Sequence, residues 1–208
     1  MKPQAPVKLK RTREAKGEDT RLALFEAAVQ VVGEEGYAGA GIAKIMARAN
    51  LASGTFYNYF ESRQDLFNQL LPALGERLLA HIRGRIDDSV AGIEREKQRI
   101  EAYFDFCRKT PGFLRVLNEA EVFAPEAFHK HIRRFQDGYR RSLIRSHSRG
   151  EIAGWELEEI DVLVFMLMGL RSYMTMLYQY EYIDPRKSNI ESMINIYAKL
   201  LKNGLFSK

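Results

Sequence analysis

Apolar residues recur every three or four positions along almost the whole chain, and nowhere does alternation persist long enough to specify a strand. From Asp19 onward Leu22, Phe25, Val29 and Val32 follow a helical spacing that stops near Gly36. Ile42, Ile45, Met46 and Ala49 form a second, short apolar face. Ser62 to Asp65 reads as a capping box, with Asp in place of Glu. It precedes Leu66, Phe67, Leu70, Leu71, Leu74, Leu78 and Leu79, on a long helix carrying on toward Arg85. Ile93, Ile100, Phe104 and Cys107 or Phe106 continue the period to Thr110. Pro111 and Pro125 stand where first-turn prolines stand. A basic helix follows Pro125 and is broken at Arg149-Gly150. The next, from about Trp155, contains Val162–Leu170, which is apolar all round and should be buried on more than one side. Asp184-Pro185 should open the last helix, with Ile190, Ile194, Tyr197, Leu201 and Leu205 as its stripe. The expectation is an all-α fold of about nine helices.

Composition narrows the class further. With 46% hydrophobic residues in 208, the chain can bury a real core. The single cysteine, Cys107, excludes an intramolecular disulfide. The N-terminus has no apolar signal segment, and Val162–Leu170 is far short of the ~20 residues of a membrane span. A cytoplasmic protein without a membrane partner is expected. The net charge of +5 is concentrated in residues 1–17, where Lys2, Lys8, Lys10, Arg11, Arg13 and Lys16 face Glu14 alone. That segment is expected to be a disordered basic arm: either a solubilising end or one that finds nucleic-acid phosphates.

The stretch ASGTFYNYFESRQDLF, Ala52 to Phe67, crowds Phe56, Tyr57, Tyr59 and Phe60 into five positions. Three short helices, the second and third joined by a three-residue turn, form a helix-turn-helix. Its turn needs a residue that tolerates the left-handed conformation, and Asn50 stands there. Phe56 and Phe60 share a face assigned to the core. Thr55, Asn58 and Tyr59 fall on another, with Ser53 near its start and Tyr57 between the two. Short polar side chains there suit base edges and phosphates, and Arg63 suits a backbone phosphate. The bland reading is a helical subdomain whose tyrosines merely cap a core.

Gly36–Phe67, and SGTFYNYF followed by ESRQDLF above all, resembles the DNA-binding domain of the TetR/AcrR family of transcriptional regulators. The resemblance covers about Glu18–Leu78. It implies an all-helical homodimer that grips a palindromic double-stranded DNA operator with two N-terminal heads (18–78, motif about 41–60). It also implies a C-terminal domain (79–208) that binds a small effector and dimerises through its last two long helices. Lys44, Ser53, Thr55, Tyr57, Asn58, Tyr59 and Arg63 would then be the DNA-binding residues. Several positions depart from the family pattern. Ala40-Gly41 replaces Thr-Ser at the start of the second helix, Met46 replaces a small residue, Asn50 replaces Gly, and Arg63 replaces Lys. Ala52 replaces a Ser N-cap, at a cost of ~1 kcal/mol. Residues 18–67 also carry four basic against seven acidic residues, so the arm should supply much of the phosphate attraction.

The C-terminal half carries weaker signals. The methionines and tyrosines around Val162–Tyr180 fit a core and dimer interface, with Leu163, Leu167, Ile190, Ile194, Tyr197 and Leu201 facing a second copy. They also fit a plastic ligand cavity involving Met166, Leu170, Arg171, Met174 and Tyr178. Arg171 is either an interfacial ion-pair partner or a counter-ion for an acidic ligand. The arginines of the basic helix, Arg133 to Arg149, form a solvated face or meet the phosphate of a nucleotide-like or acyl-CoA effector. Glu126 and His129 lack a third metal ligand, so no metal is expected. No Gly-rich phosphate loop and no Ser/His/Asp order is present, so neither cofactor nor enzyme activity is expected. The function expected is a regulator, most simply a repressor released by a small, largely apolar effector. The alternative is a helical sensor module whose head has lost DNA binding.

Overall fold

The computed structural model describes residues 13–152, 154–182 and 189–205. It contains α1 (Arg13–Gly39), α2 (Ile42–Arg48), a 3-10 turn at Ser53–Asn58, α3 (Arg63–Arg83), α4 (Gly92–Lys109) and α5 (Phe113–Phe123). There follow α6 (Pro125–Ser148), a 3-10 turn at Leu157–Glu159, α7 (Ile160–Gln179) and α8 (Ile190–Asn203), with no strand among the described residues. The all-α expectation holds.

Three expectations about organisation change. Residues 13–17 of the expected arm are the first turns of α1, and residues 1–12 lie outside the described residues. The division expected at 78/79 falls inside α3, which runs unbroken from head to body. One core joins them, from Leu24 and Phe25 on α1 through Phe56 and Phe67 to Tyr103, Phe113 and Phe135. Asp184 and Pro185 also lie outside the described residues. Within them α8 is capped by Asn189, whose side chain accepts a hydrogen bond from the Ser192 amide at 2.8 Å.

The seam between α1 and α5 fixes the head on the body. Gly36, at φ 75°, lets α1 kink where a Cβ would strain the backbone. One turn earlier Gly33 meets Gly112 so closely that a methyl on Gly112 would lie 2.1 Å from the Val29 carbonyl oxygen. Past the kink, the Tyr37 amide donates to Glu119 at 2.8 Å and the Tyr37 hydroxyl to the Val116 carbonyl at 3.3 Å. Arg115 donates to the Glu34 carbonyl at 3.0 Å and pairs with Glu119.

Behind this seam, α7 and α8 pack on α4. Ile194 and Tyr197, expected to face a second copy, are only 3% and 2% exposed, and join Ile100, Phe104 and Met193 in the protomer's own core. Ile190, Leu163 and Leu167 are half-buried against these interior clusters as well. Of the expected set Leu201 is exposed, at 37%, and the rest of the outward face consists of Val162, Phe165, Met166 and Tyr173 on α7 and Ile196 on α8. Leu157–Gln179 is long and apolar enough, by length and composition, to cross a membrane, which the Val162–Leu170 run alone did not suggest. Its inward face nevertheless packs on α4 and α6 and carries buried Arg171 and Thr175.

The glycine seam makes a stability prediction. Gly112→Ala drives a methyl into backbone and should cost about 2 kcal/mol or more in urea unfolding. Gly138→Ala, in the middle of α6 with open space around it, should gain about 0.5–1 kcal/mol. Equal effects from the two would contradict the close approach.

Candidate nucleic-acid interface

The element Ser53–Asn58 is presented by a turn built as the sequence requires. Asn50 takes φ 55°, and the Leu51 amide closes back on the Met46 carbonyl at 3.0 Å. The element itself is 3-10 rather than α, with the Thr55 amide on Ala52 O at 2.9 Å and the Tyr59 amide on Phe56 O at 3.0 Å. Ala52 supplies no side-chain cap, and neither does Ser53. The element is held by aromatic packing. Phe56 and Phe60 are buried, their rings 5.6 Å apart, and Phe60 meets Phe25 edge-on at 5.5 Å. The N-terminus of α3 locks the far side: Ser62 Oγ accepts from the Asp65 amide at 3.1 Å. Asp65 reaches back to the Glu61 amide, one residue before the position a capping box uses, at 3.0 Å.

This scaffold brings part of the expected set to one surface. Ser53, Tyr57 and Asn58 are exposed and Thr55 is half-buried. Tyr57 is 65% exposed, its ring edge-on to Phe56, and among the described residues nothing hydrogen-bonds its hydroxyl or the Asn58 amide group. Tyr59 turns inward and packs against the head core, so it stands apart from the polar face on which it was expected. The two basic members, Lys44 and Arg63, are engaged within the protein, as is Arg48 of α2. Lys44 pairs with Glu35, and Arg48 makes a two-pronged contact with Glu34 at 2.6 and 2.7 Å. Arg63 lies over the Phe67 ring and donates to the Tyr37 carbonyl at 2.5 Å, bonding the backbone of α1 past its kink. Sequence spacing gave Arg63 an outward role because it could not show that α1 ends beside it.

The expected effector residues are divided between the protomer's interior and its surface. Leu170, Met174 and Tyr178 pack against the α4–α8 core, with Tyr178 edge-on to Phe104 at 6.0 Å. Met166, one turn before Leu170 on the same side of α7, is 61% exposed. Arg171 is buried between tyrosines. Cys107 is buried too, and desolvation pushes its thiol up to about 12, which leaves it unreactive. Among the described residues no group of three or more His, Cys, Asp or Glu is placed to hold a metal.

Comparison with known proteins centres on the head. Residues 24–70 match the family model of bacterial regulatory proteins, tetR family. The HTH-type transcriptional regulator YvdT of Bacillus subtilis is 39% identical over 71 residues, 34% of each chain. The HTH-type transcriptional repressor DhaR of a Mycobacterium species is 33% identical over 84 residues, 40% of this chain and 41% of its own. The chain thus spans less than half the length of these two curated relatives. Over nearly the full length the fold matches fatty acid degradation regulator FadR from Bacillus halodurans, with a TM-score of 0.71 and 18% identity, covering 96% of this chain and 100% of that one. It also matches FadR from Bacillus subtilis in complex with stearoyl-CoA, with a TM-score of 0.69 and 20% identity, covering 89% and 99%.

Arg63 provides the local test. Arg63→Ala should lower unfolding stability in the absence of any ligand by about 1 kcal/mol or more, through loss of the carbonyl contacts and the ring contact. A neutral effect on stability would return Arg63 to a purely external role.

Proposed function

We propose that the protein is a dimeric, ligand-responsive transcriptional regulator of the tetR type, supported by the match of residues 24–70 to that family's model. In this reading it is a repressor that leaves a palindromic operator when a small, largely apolar effector binds. The observation that carries this reading is the unpartnered polar surface of Ser53, Tyr57 and Asn58 on an element fixed by buried Phe56 and Phe60. Asn58 has the donor and acceptor pair that reads an adenine edge, and the Tyr57 hydroxyl suits a phosphate oxygen.

The second copy sits on the outer faces of α7 and α8. Val162, Phe165, Met166, Tyr173 and Ile196 form an apolar surface on helices whose other faces are already packed. A surface of this kind on a chain of 208 residues favours self-association. The effector acts from the body: α5 holds α1, and a shift of α5 moves the head relative to its two-fold mate. A regulator of the same fold is described with stearoyl-CoA, which supports an apolar effector of similar kind.

The internal ion pairs of Lys44 and Arg48 favour a second reading, a sensor module without DNA binding. Residues 1–12, with Lys2, Lys8, Lys10 and Arg11, would supply the phosphate attraction that the head lacks. Mobility shifts with duplex from the chain's own upstream region separate the readings. Wild type should form a complex, Tyr57→Phe should weaken it on all sequences, and Asn58→Ala should change the preferred base. Removal of residues 1–12 should weaken binding and flatten its salt dependence. No complex at low salt would favour the sensor.

Assembly is tested separately. The wild type should run at twice the 24.0 kDa chain mass in light scattering. Phe165→Glu with Ile196→Glu should run as a folded monomer. A wild-type monomer would remove the two-headed grip.

A further inference from the structure

Arg171 is the one feature of the interior whose charge the described residues leave unanswered. It is 5% exposed on the inward face of α7. Its guanidinium lies 4.5 Å from the centre of the Tyr103 ring and 5.7 Å from that of Tyr139. Among the described residues no carboxylate comes within ion-pair distance, and Nε has no hydrogen-bond partner. The nearby acid is committed elsewhere. Glu96 pairs with Arg99 and accepts hydrogen bonds from the Tyr139 and Tyr197 hydroxyls. Arg99 is held in turn by Glu96 and by the Ser142 hydroxyl at 2.7 Å. Glu96 and Arg99 cancel, and the cluster keeps one net positive charge in a buried setting. Two aromatic faces attract a cation but do not neutralise it, and burial of an unmatched charge is strongly unfavourable.

His131 on α6 is buried as well, 5% exposed, but its ring faces α3, with Nδ1 against Gly75 and the Leu71 carbonyl as its polar contact. Burial holds the ring neutral, its pKa down to about 4, against the raising effect of that carbonyl, and the charge of Arg171 pushes the same way as burial. His131 therefore adds no second cation beside Arg171.

We propose that Arg171 anchors the carboxylate of a small apolar monoacid, which is the effector of the regulator described above. The inference rests on that reading for the word effector, not for the site. One net charge matches a monoanion. A planar guanidinium matches a carboxylate in a two-bond fork, whereas a phosphate dianion needs a second cation that neither neutral His131 nor occupied Arg99 provides. A neutral thioester or alcohol of the same shape leaves the charge unmet. The rest of the ligand meets apolar side chains: Leu167, Met168 and Met174 share the inward face of α7 with Arg171, and methionine repacks readily around an incoming chain. The site also touches the seam. Tyr103 and His131 each approach the ring of Phe113, at 6.3 Å, and Phe113 is the first residue of α5, next to Gly112, which packs against α1.

The test is a calorimetric and thermal-shift panel on the full chain. The acids are straight-chain carboxylates from butanoate to hexadecanoate, with benzoate and phenylacetate. Each is matched by its alcohol and its primary amide, and S-ethyl thiodecanoate is the neutral thioester. At least one acid should bind wild type and raise its melting temperature by several degrees, with the matching alcohol and amide at least tenfold weaker. Arg171→Met should lose that acid's binding by tenfold or more while melting no lower than wild type, because it removes an unmatched buried cation. Arg171→Gln serves the same purpose if the Met variant does not fold. The proposal is overturned if no acid binds, if alcohol or thioester binds as tightly as acid, or if neither folded variant loses binding. Mobility shifts on the same samples keep the two readings apart. Acid binding without any DNA complex leaves the site standing and removes the regulator, and a DNA complex without acid binding does the reverse.

Discussion

The close approach of α1 to α5 is the constraint on which the remainder of the structure depends. Gly33 and Gly112 bring two helix backbones so near that the Val29 carbonyl fills the space of a side chain. The kink at Gly36 then turns the last residues of α1 toward Glu119 and Arg63. Tyr37 is gripped from both sides: its amide and hydroxyl by α5, its carbonyl by the first residue of α3. Head and body therefore share one packed core and do not meet through a linker.

Much of this was legible in the sequence where local chemistry decides the outcome. The left-handed turn at Asn50, Ser62 as the cap of α3, Pro125 at the first position of α6 and the break at Arg149-Gly150 all follow from what those residues can do with their own backbone. Phe56 and Phe60 were legible as core because spacing fixes which side chains share a face. Spacing does not say what covers a face. The stripe Ile190, Ile194 and Tyr197 is apolar as expected, but α4 covers it, and the outward side of α7 and α8 carries different residues. The apolar run Val162–Leu170 is buried on one side only within the protomer, since Phe165 and Met166 point away from α4 and α6. Arg63 and Tyr59 were misplaced for the same reason: their partners, the end of α1 and the head core, are distant in sequence.

Charge is distributed with a consistent logic. The head answers Lys44 and Arg48 with Glu35 and Glu34, and the exposed side chains of Ser53, Tyr57 and Asn58 are uncharged. The body answers Arg95 with Glu151 and Arg99 with Glu96, and leaves Arg171 without a partner. A buried charge without a counter-ion is among the costlier features a protein keeps, and this one lies against Tyr103, whose ring meets Phe113 at the α1–α5 seam.

The central claim is that two copies present the Ser53–Asn58 surface to one duplex. Hydroxyl-radical footprinting of the purified chain on its upstream region tests it most directly. The account predicts two protected half-sites related by a two-fold axis, with centres about one helical turn, 10–10.5 base pairs, or a whole multiple of it apart. A single protected tract without two-fold symmetry, or no protection at low salt, would contradict it.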